Sequence, residues 1–117
     1  MGRLTTHVLD TASGRPGEGI RISLRRVVDG VAQEIGTAVT NSDGRCDSPL
    51  LEGDAMQPGV YELVFEAGAY FDAAGVQTET PRFLDDVILR FGIADASQHY
   101  HVPLLISPYG YTTYRGS

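Results

Sequence analysis

The sequence predicts one all-β domain, a sandwich or barrel of short strands, and three observations support this class. The chain has 117 residues, which is the size of one ordinary domain. Its 14 glycines and 6 prolines fall between short runs rich in Val, Ile, Leu, Thr, Tyr and Phe, a spacing typical of strands joined by turns. Hydrophobic residues make up 42% and charged residues 21%, a composition that indicates a globular fold. We therefore expect residues 1–117 to form a single domain.

Turn residues separate the predicted strands. Asp29-Gly30 stands between two apolar runs and is typical of a two-residue hairpin with a type I′ turn. Ser42-Asp43-Gly44 and Gln57-Pro58-Gly59 mark the starts of two further strands. The expected strands lie near residues 4–10, 20–28, 32–40, 45–51, 60–66, 84–94, 99–106 and 110–116.

Two segments allow a helical interpretation. Residues 69–75, which end in a glycine, are typical of one or two helical turns stopped by that glycine. In residues 80–91 apolar side chains recur at helical spacing, but Val87, Leu89 and Phe91 also alternate as strand residues do. Periodicity alone leaves both structures open for this second segment.

The charge balance argues against two classes of partner. Nine basic and fifteen acidic residues leave a formal charge of −6, whereas nucleic acids and anionic membranes require a cationic surface. No apolar run reaches about 18 residues, the length that a membrane-spanning helix needs. The N-terminus lacks the apolar stretch of a signal peptide, and the lone Cys46 is expected to be a buried, inert thiol. We therefore expect a cytoplasmic protein with neither nucleic acid nor membrane as partner.

The segment 99–106 carries an outward face that does not suit free solvent. Its even-numbered residues form a uniformly apolar face, which we expect in the core: Tyr100, Val102, Leu104 and Ile106. The opposite face is too polar for a core and too apolar for water, and consists of His99, His101, Pro103 and Leu105. The first strand repeats this mixture with Thr5, His7 and Leu9. Such faces indicate a cleft or a subunit interface.

Three histidines on these faces suggest chemistry, and the residues alone leave several options open. One is a zinc site, since His99 and His101 project from one strand face and His7 would supply a third nitrogen. Another is acid–base hydrolysis of an activated ring, because imidazoles transfer protons near pH 7 and a guanidinium stabilises a developing oxyanion. A nucleophilic serine has the least support, since the sequence contains no Gly-x-Ser-x-Gly motif.

Four segments of the chain resemble the 5-hydroxyisourate hydrolases, also called transthyretin-related proteins. They are Leu4–Asp10, Thr40–Arg45, His99–Tyr109 and the terminal Tyr114-Arg115-Gly116-Ser117. The terminal tetrapeptide is the signature of that family, and together the segments span essentially the whole chain. The resemblance implies hydrolytic ring opening of 5-hydroxyisourate to 2-oxo-4-hydroxy-4-carboxy-5-ureidoimidazoline in urate degradation, without a metal or an organic cofactor.

The same resemblance implies a fold and an assembly. The fold is the transthyretin-type β-sandwich of two four-stranded sheets with one short helix at about residues 69–74, and it makes 84–94 a strand. The assembly is a homotetramer, a dimer of dimers, with active sites in the channel where the dimers meet. Such a channel would explain the mixed outward faces of the histidine strands.

Residue by residue, the resemblance places the catalytic positions on His7, Arg45 and His101. The positions that would complete the substrate pocket are Tyr114, Arg115, Gly116 and Ser117. His99 is expected either to orient its neighbour, as a possible second layer of the site, or to be exposed. The alternatives are a transthyretin-like carrier that binds a small ligand without catalysis, and a histidine-based zinc hydrolase. A carrier channel would not need the two histidines and the arginine.

Overall fold

The computed structural model describes residues 2–116 as two packed β-sheets with one short helix. In chain-order numbering, the first sheet contains β1 (Arg3–Asp10), β2 (Arg15–Pro16), β5 (Leu51–Glu52), β8 (Tyr100–Ser107) and β9 (Gly110–Thr113). The second sheet contains β3 (Arg21–Val28), β4 (Val31–Val39), β6 (Gly59–Glu66) and β7 (Asp86–Ile93). Helix α1 spans Ala67–Ala73, and one 3₁₀ turn spans Gly53–Ala55. The predicted all-β sandwich with one short helix is confirmed, and between residues 2 and 116 no helix has the length and apolar character to cross a membrane.

The first sheet has five strands where four are expected, because two very short strands share one edge. Its order is β2-β1-β8-β9, and β5 also pairs with β1. β2 pairs with the end of β1 at Leu9 and Asp10, and β5 pairs with its start at Arg3 and Leu4. The middle of β1 is left open on this edge. The second sheet has the expected four strands, in the order β4-β3-β6-β7.

β1 and β8 form a parallel pair, and the candidate site lies on it. In their register Thr5 stands opposite His101, and His7 stands opposite Pro103. Because side chains alternate between the two faces of a strand, these four residues share the outer face of the sheet. The pair joins the first strand of the chain to its second-last one.

The core fixes which face of this pair points outward. As predicted, the even-numbered residues of β8 are buried: Tyr100, Val102, Leu104 and Ile106. Leu4 and Val8 of β1 are fully buried beside them, and Phe71 of α1 is almost fully buried. Each apolar side chain buried in this way stabilises the fold by about 1.5–3 kcal/mol. If either strand were rotated by half a turn about its axis, its buried apolar side chains would face solvent. The packing of the core therefore keeps Thr5, His7 and His101 on the outer face.

The prediction of a strand over 45–51 is largely wrong. Only Leu51–Glu52 pairs as a strand, and Arg45 forms a single bridge with His7. Pro49 has no N–H to donate, and the preceding Asp47 and Ser48 are exposed polar residues. The segment therefore runs as a loop between these two points of contact with β1.

In the ambiguous segment 80–91 the helical alternative is wrong, and the strand predicted at 84–94 is present as β7, although it spans only Asp86–Ile93. Val87 and Leu89 are buried, whereas Ile88 between them is 50% exposed, which is the alternation of a strand with one face on the core. The short helix predicted at 69–74 is confirmed, although α1 begins two residues earlier, at Ala67.

Candidate active site

The outer face of the first sheet brings Thr5, His7 and His101 together. Thr5 and His101 are register partners, and His7 lies two residues beyond Thr5 on the same face of β1. All three side chains are partly buried although they point away from the core. The part of β1 that β2 and β5 leave unpaired lies beside this group, and the loop after β4 fills it.

This loop, residues 41–45, is a tight turn that is hydrogen-bonded to the backbone of β1. Oδ1 of Asn41 accepts hydrogen bonds from the backbone N–H groups of Asp43 at 2.9 Å and Arg45 at 3.1 Å. The N–H of Val8 donates to the carbonyl oxygen of Gly44 at 2.8 Å. Gly44 has a φ of +76°, and a Cβ there would lie 2.3 Å from the carbonyl oxygen of Val8, so the turn requires glycine. It places Arg45 directly next to β1.

The same loop sets the tautomer of His7. Nε2 of His7 lies 2.9 Å from the carbonyl oxygen of Asp43. Because a carbonyl oxygen only accepts, Nε2 is the donor and carries the hydrogen. The neutral ring therefore has its free lone pair on Nδ1. Arg45 is the immediate neighbour of His7, since the two residues form a backbone bridge.

His101 is held by Thr5 and lies within electrostatic reach of both other groups. Its Nδ1 is 2.9 Å from Oγ1 of Thr5. Burial lowers the pKa of His101 below its ordinary value of 6.5, and the positive charges of Arg45 and His7 lower it further. These effects favour the neutral ring near pH 7. The structure thus brings the three predicted catalytic residues together.

The C-terminal segment folds back over His101. β9 ends at Thr113, earlier than the predicted residue 116, but Gly116 rejoins β8 through a single bridge to His101. The Gly116 N–H donates to the His101 carbonyl oxygen at 2.6 Å. A Cβ on Gly116 would lie 2.7 Å from Cδ2 of the imidazole, so only a residue without a side chain packs here without moving the ring. Ser117, also predicted to bind substrate, lies outside the described residues.

Tyr114 and Arg115 follow the last residue of β9. The guanidinium carbon of Arg115 lies 4.0 Å from the ring centre of Tyr100, a buried residue of the core face. Arg115 also donates to the carbonyl oxygen of His99 at 3.1 Å. Tyr114 is 59% exposed and lines a cavity with Tyr100, Val102 and Arg115. Within residues 2–116 neither side chain forms a hydrogen bond with the ring of His7 or His101.

His99 shares a cavity with His101 but lies outside the strand that carries it. It precedes β8 and is exposed, and it lines a cavity of about 170 Å³ with Arg3, Thr5 and His101. Within the part of the chain that the structure describes, no three His, Cys, Asp or Glu side chains are grouped so that they could hold a metal ion. The zinc alternative has no assembled ligand set among those residues.

Cys46 follows Arg45 and is partly buried. Burial raises the pKa of its thiol, and the neighbouring Asp47 carboxylate raises it further. A thiol with a raised pKa is protonated and unreactive near pH 7. This environment agrees with the expected inert cysteine.

Sequence patterns did not single out Thr5 and Asn41 as contributors. The alternation of β1 places Thr5 on the His7 face, but its hydrogen bond to His101 depends on a partner 96 residues away. Asn41 offered a local signal, because asparagine at the start of a tight turn commonly bonds the backbone two residues on.

Curated relatives match the chain along its whole length. The family model described as HIUase/Transthyretin family matches residues 4–116. The 5-hydroxyisourate hydrolase of Pseudomonas aeruginosa is 64% identical over 117 residues, which cover 100% of this chain and 93% of that protein. The 5-hydroxyisourate hydrolase of Ralstonia nicotianae is 62% identical over 117 residues and is covered completely, as is this chain.

Solved structures share the same fold. The 5-hydroxyisourate hydrolase of Klebsiella pneumoniae has a TM-score of 0.83 at 36% identity, with 100% of both chains covered. Sea bream transthyretin in complex with thyroxine has a TM-score of 0.87 at 27% identity, with 97% of this chain and 94% of that chain covered. With its sandwich, its histidine strands and its full-length relatives in agreement, the chain belongs to the HIUase/Transthyretin family.

Proposed function

We propose that this chain is a hydrolase that opens the ring of 5-hydroxyisourate to 2-oxo-4-hydroxy-4-carboxy-5-ureidoimidazoline, a step of urate degradation. The observation that carries the proposal is the meeting of His7, Arg45 and His101 on one sheet face, in a chain 64% identical to a protein named 5-hydroxyisourate hydrolase. Two imidazoles and a guanidinium supply the proton transfer and anion stabilisation that opening a cyclic amide requires.

The proposed reaction consumes one water molecule and breaks one ring C–N bond. The water oxygen bonds to the ring carbonyl carbon while an imidazole accepts a proton from that water. The C–N bond then breaks, the imidazole delivers its proton to the leaving nitrogen, and the new carboxyl group ionises. The step balances without an oxidant, a reductant or a cofactor.

We assign the accepting imidazole to His7. Its Nε2 donates to the carbonyl oxygen of Asp43, so Nδ1 carries the free lone pair that can accept a proton, and the same carbonyl stabilises the ring once it is protonated. His101 has the lowered pKa and acts as a neutral ring that holds the substrate through Nε2, because Thr5 occupies Nδ1. The exposed Arg45 is assigned to the anionic ring and its oxyanion.

The experiment that tests this function is a coupled assay with freshly generated 5-hydroxyisourate. His7→Asn, His101→Asn and Arg45→Ala are each expected to fold, yet to lose about 10²–10⁴ in rate, the usual cost of removing a general base or an oxyanion donor. Near wild-type turnover in any of the three would overturn the role assigned to that residue. Ligand binding by the unmodified chain without turnover would favour the carrier alternative.

The C-terminal residues complete the proposed pocket in different ways. Gly116 is assigned to its wall, because it packs on the His101 ring. The exposed Tyr114 is also assigned there, because the bridge between Gly116 and His101 continues the register of β9 with β8. Arg115 is assigned to anchoring this segment, since its guanidinium lies over Tyr100 and bonds the His99 carbonyl. Ser117 remains a predicted substrate contact.

The active form that we propose is a homotetramer, a dimer of dimers, located in the cytoplasm. Leu9 and Leu105 are register partners on the outer face of β1 and β8 and are only partly buried in the single chain. A second pair of subunits would cover these leucines and exclude water from the histidines, which strengthens electrostatic interactions with the substrate.

We further propose that the reaction needs no metal and no organic cofactor. Water and the side chains named above account for every bond and proton of the hydrolysis. Full activity after prolonged chelation, without stoichiometric zinc by elemental analysis, is the expected result. Loss of activity on chelation and its recovery with added zinc would overturn this proposal in favour of a metal site.

A further inference from the structure

Arg3 is a second guanidinium at the outer face of β1, in addition to Arg45 of the neighbouring loop. It is the first residue of the strand, and alternation places it on the same face as Thr5 and His7, while Leu4 between them is fully buried. Arg3 and Thr5 are two positions apart in the strand, which is about 6.5–7 Å along β1. Arg3 therefore lies on one side of Thr5 along the strand, and His7 lies on the other.

Two shallow cavities flank Thr5, and Arg3 lines both of them. One, of about 220 Å³, is lined by Arg3, Thr5 and Arg45 together with residues 46–49. The other, of about 170 Å³, is lined by Arg3, Thr5, His99 and His101. Arg3 is thus the cationic residue that borders both the Arg45 side and the His101 side of the candidate site.

The charge of Arg3 is not neutralised within residues 2–116. Six of the nine arginines bond carboxylates, carbonyl oxygens or other side chains there: Arg21, Arg25, Arg26, Arg82, Arg90 and Arg115. Arg3, Arg15 and Arg45 make no such contact among the described residues, and two of these three line the same cavity. Glu52 is the cross-strand partner of Arg3, but their side chains form no ion pair within 4.0 Å in the described chain.

From this placement we infer that Arg3 is a second anion-binding residue of the site, which holds an anionic group of the substrate or the carboxylate of the ring-opened product. The inference rests on the proposed hydrolysis, which creates a carboxylate from a ring carbonyl. A guanidinium suits this task because its planar N–H donors match the two oxygens of a carboxylate. Arg45 and Arg3 would then contact the ligand from the two sides of Thr5.

The competing explanation is that Arg3 has a structural role and stabilises the pairing of β5 with β1 through electrostatic attraction to Glu52. The two explanations differ in what Glu52→Gln does. If Arg3 stabilises this strand edge, Glu52→Gln should reproduce the effects of Arg3→Gln. If Arg3 binds the ligand, Glu52→Gln should leave substrate binding unchanged or tighten it, because a competing carboxylate is removed.

The test compares Arg3→Gln, Arg3→Lys and Glu52→Gln with the unmodified chain in steady-state assays with 5-hydroxyisourate and with the product as inhibitor. Arg21→Gln serves as the charge-matched control, because it removes the same charge from the second sheet. For Arg3→Gln we expect an increase of about tenfold in KM or in the product inhibition constant, which corresponds to about 1.4 kcal/mol, with kcat within about twofold. Arg3→Lys should retain part of the effect, and Arg21→Gln should show none.

KM and the product inhibition constant together show whether Arg3 binds an anionic group of the substrate or the carboxylate of the product. A higher KM identifies an anionic group of the substrate as the partner of Arg3, and a higher inhibition constant alone identifies the product carboxylate. Unchanged constants in Arg3→Gln, or equal effects of Arg3→Gln and Glu52→Gln, would overturn the inference.

If the unmodified chain has no hydrolase activity, the proposed function fails, and calorimetric binding of urate still tests Arg3. Tenfold weaker urate binding by Arg3→Gln would support the anion site, and equal binding would overturn it.

Discussion

Oγ1 of Thr5 lies 2.9 Å from Nδ1 of His101, across a parallel strand pair that joins residues 96 positions apart. The bond leaves Nε2 as the ring nitrogen of His101 that is free to meet a ligand. A threonine hydroxyl is thus the contact that orients the second imidazole of the candidate site.

Replacing Thr5 by valine keeps the shape of the side chain and removes this bond. A hydrogen bond of this kind contributes about 1 kcal/mol, so we expect kcat to fall about fivefold to tenfold and the melting temperature to fall by no more than a few degrees. Thr5→Ser retains the hydroxyl and should retain most of the activity. Equal rates for the valine variant and the unmodified chain would show that the bond does not orient His101.

The titration of His101 should report on Arg45. In the unmodified chain His101 should titrate below 6.5, because burial, Arg45 and His7 all lower its pKa. Arg45→Ala removes a positive charge that disfavours the imidazolium, so the pKa of His101 should rise towards 6.5 while the effect of burial remains. Histidine ring signals followed by NMR against pH measure this directly. An unmoved titration in Arg45→Ala would mean that the guanidinium does not act on His101.

Asn41 should affect activity without touching the substrate. Its Oδ1 accepts from the N–H groups of Asp43 and Arg45, and the same turn supplies the carbonyl that holds His7. Asn41→Ala removes these two bonds and a third, from Nδ2 of Asn41 to Oδ1 of Asp47, which we expect to destabilise the fold by about 1–3 kcal/mol and to lower kcat. Asn41→Asp keeps an acceptor oxygen for the two N–H groups but places a second carboxylate beside Asp47, so its activity should lie between those of the alanine variant and the unmodified chain. Urea denaturation and the coupled assay measure the two effects, and a fully active alanine variant would contradict this role.

The Tyr70–Asp10 contact should make stability depend on pH. Burial alone would raise the pKa of Asp10, but hydrogen bonds from the Tyr70 hydroxyl, at 2.7 Å, and from the N–H groups of Ser13 and Ala12 bring it below 3.8. Burial, followed by the contact with Asp10, raises the pKa of Tyr70 to about 12.

A carboxylate whose pKa is lower in the folded chain stabilises the fold fully above 3.8, its unfolded value, and loses this effect as the pH falls through the folded value. Tyr70→Phe should therefore cost stability at pH 7, by about 1–3 kcal/mol, and progressively less as Asp10 becomes protonated. Urea denaturation of both chains at several pH values gives this difference. The same cost at every pH would assign the effect to packing and not to the hydrogen bond.

The tetramer can be tested through Leu105. A charge at this position would be buried without a partner in the proposed assembly, and such a charge is costly. Leu105→Asp should therefore reduce sedimentation from about four chain masses to fewer and lower the activity together with it. Gln33→Asp provides a control, since Gln33 is exposed on β4 of the second sheet, away from the face that carries Leu105. A fully active monomer at low concentration would contradict the shared channel.

Local sequence patterns predicted those elements whose side chains alternate clearly. β8 is the best case, since its even-numbered residues are all buried. The same reasoning failed for residues 45–51, because Leu50 and Leu51 looked like the end of a strand, while Pro49 and the polar residues before it form a loop. Whether residues 84–94 form a helix or a strand depended on packing against the core, which periodicity does not report.

The candidate site was predictable as a set of residue types but not as a geometry. Its histidines stood out because they occupy faces that suit neither core nor solvent. The tautomer of His7 depends on a backbone carbonyl of a loop 36 residues away, and no local pattern contains that information. The family's terminal tetrapeptide predicted that Arg115 contacts the substrate, but a motif does not report where a side chain points. The guanidinium of Arg115 lies over Tyr100 and not beside His101.

The parallel pairing of β1 with β8 has a consequence for the synthesis of the chain. His7 leaves the ribosome well before β8 does, and its strand has no partner on the β8 side until about ninety further residues have followed, as the 96-residue separation of Thr5 and His101 requires. During that interval β1 exposes unpaired N–H and C=O groups, which are a template for wrong pairing with other strands. Contacts this distant in sequence also make folding slow, on the order of milliseconds to seconds. Prematurely terminated chains that lack β8 should consequently be both inactive and prone to aggregate.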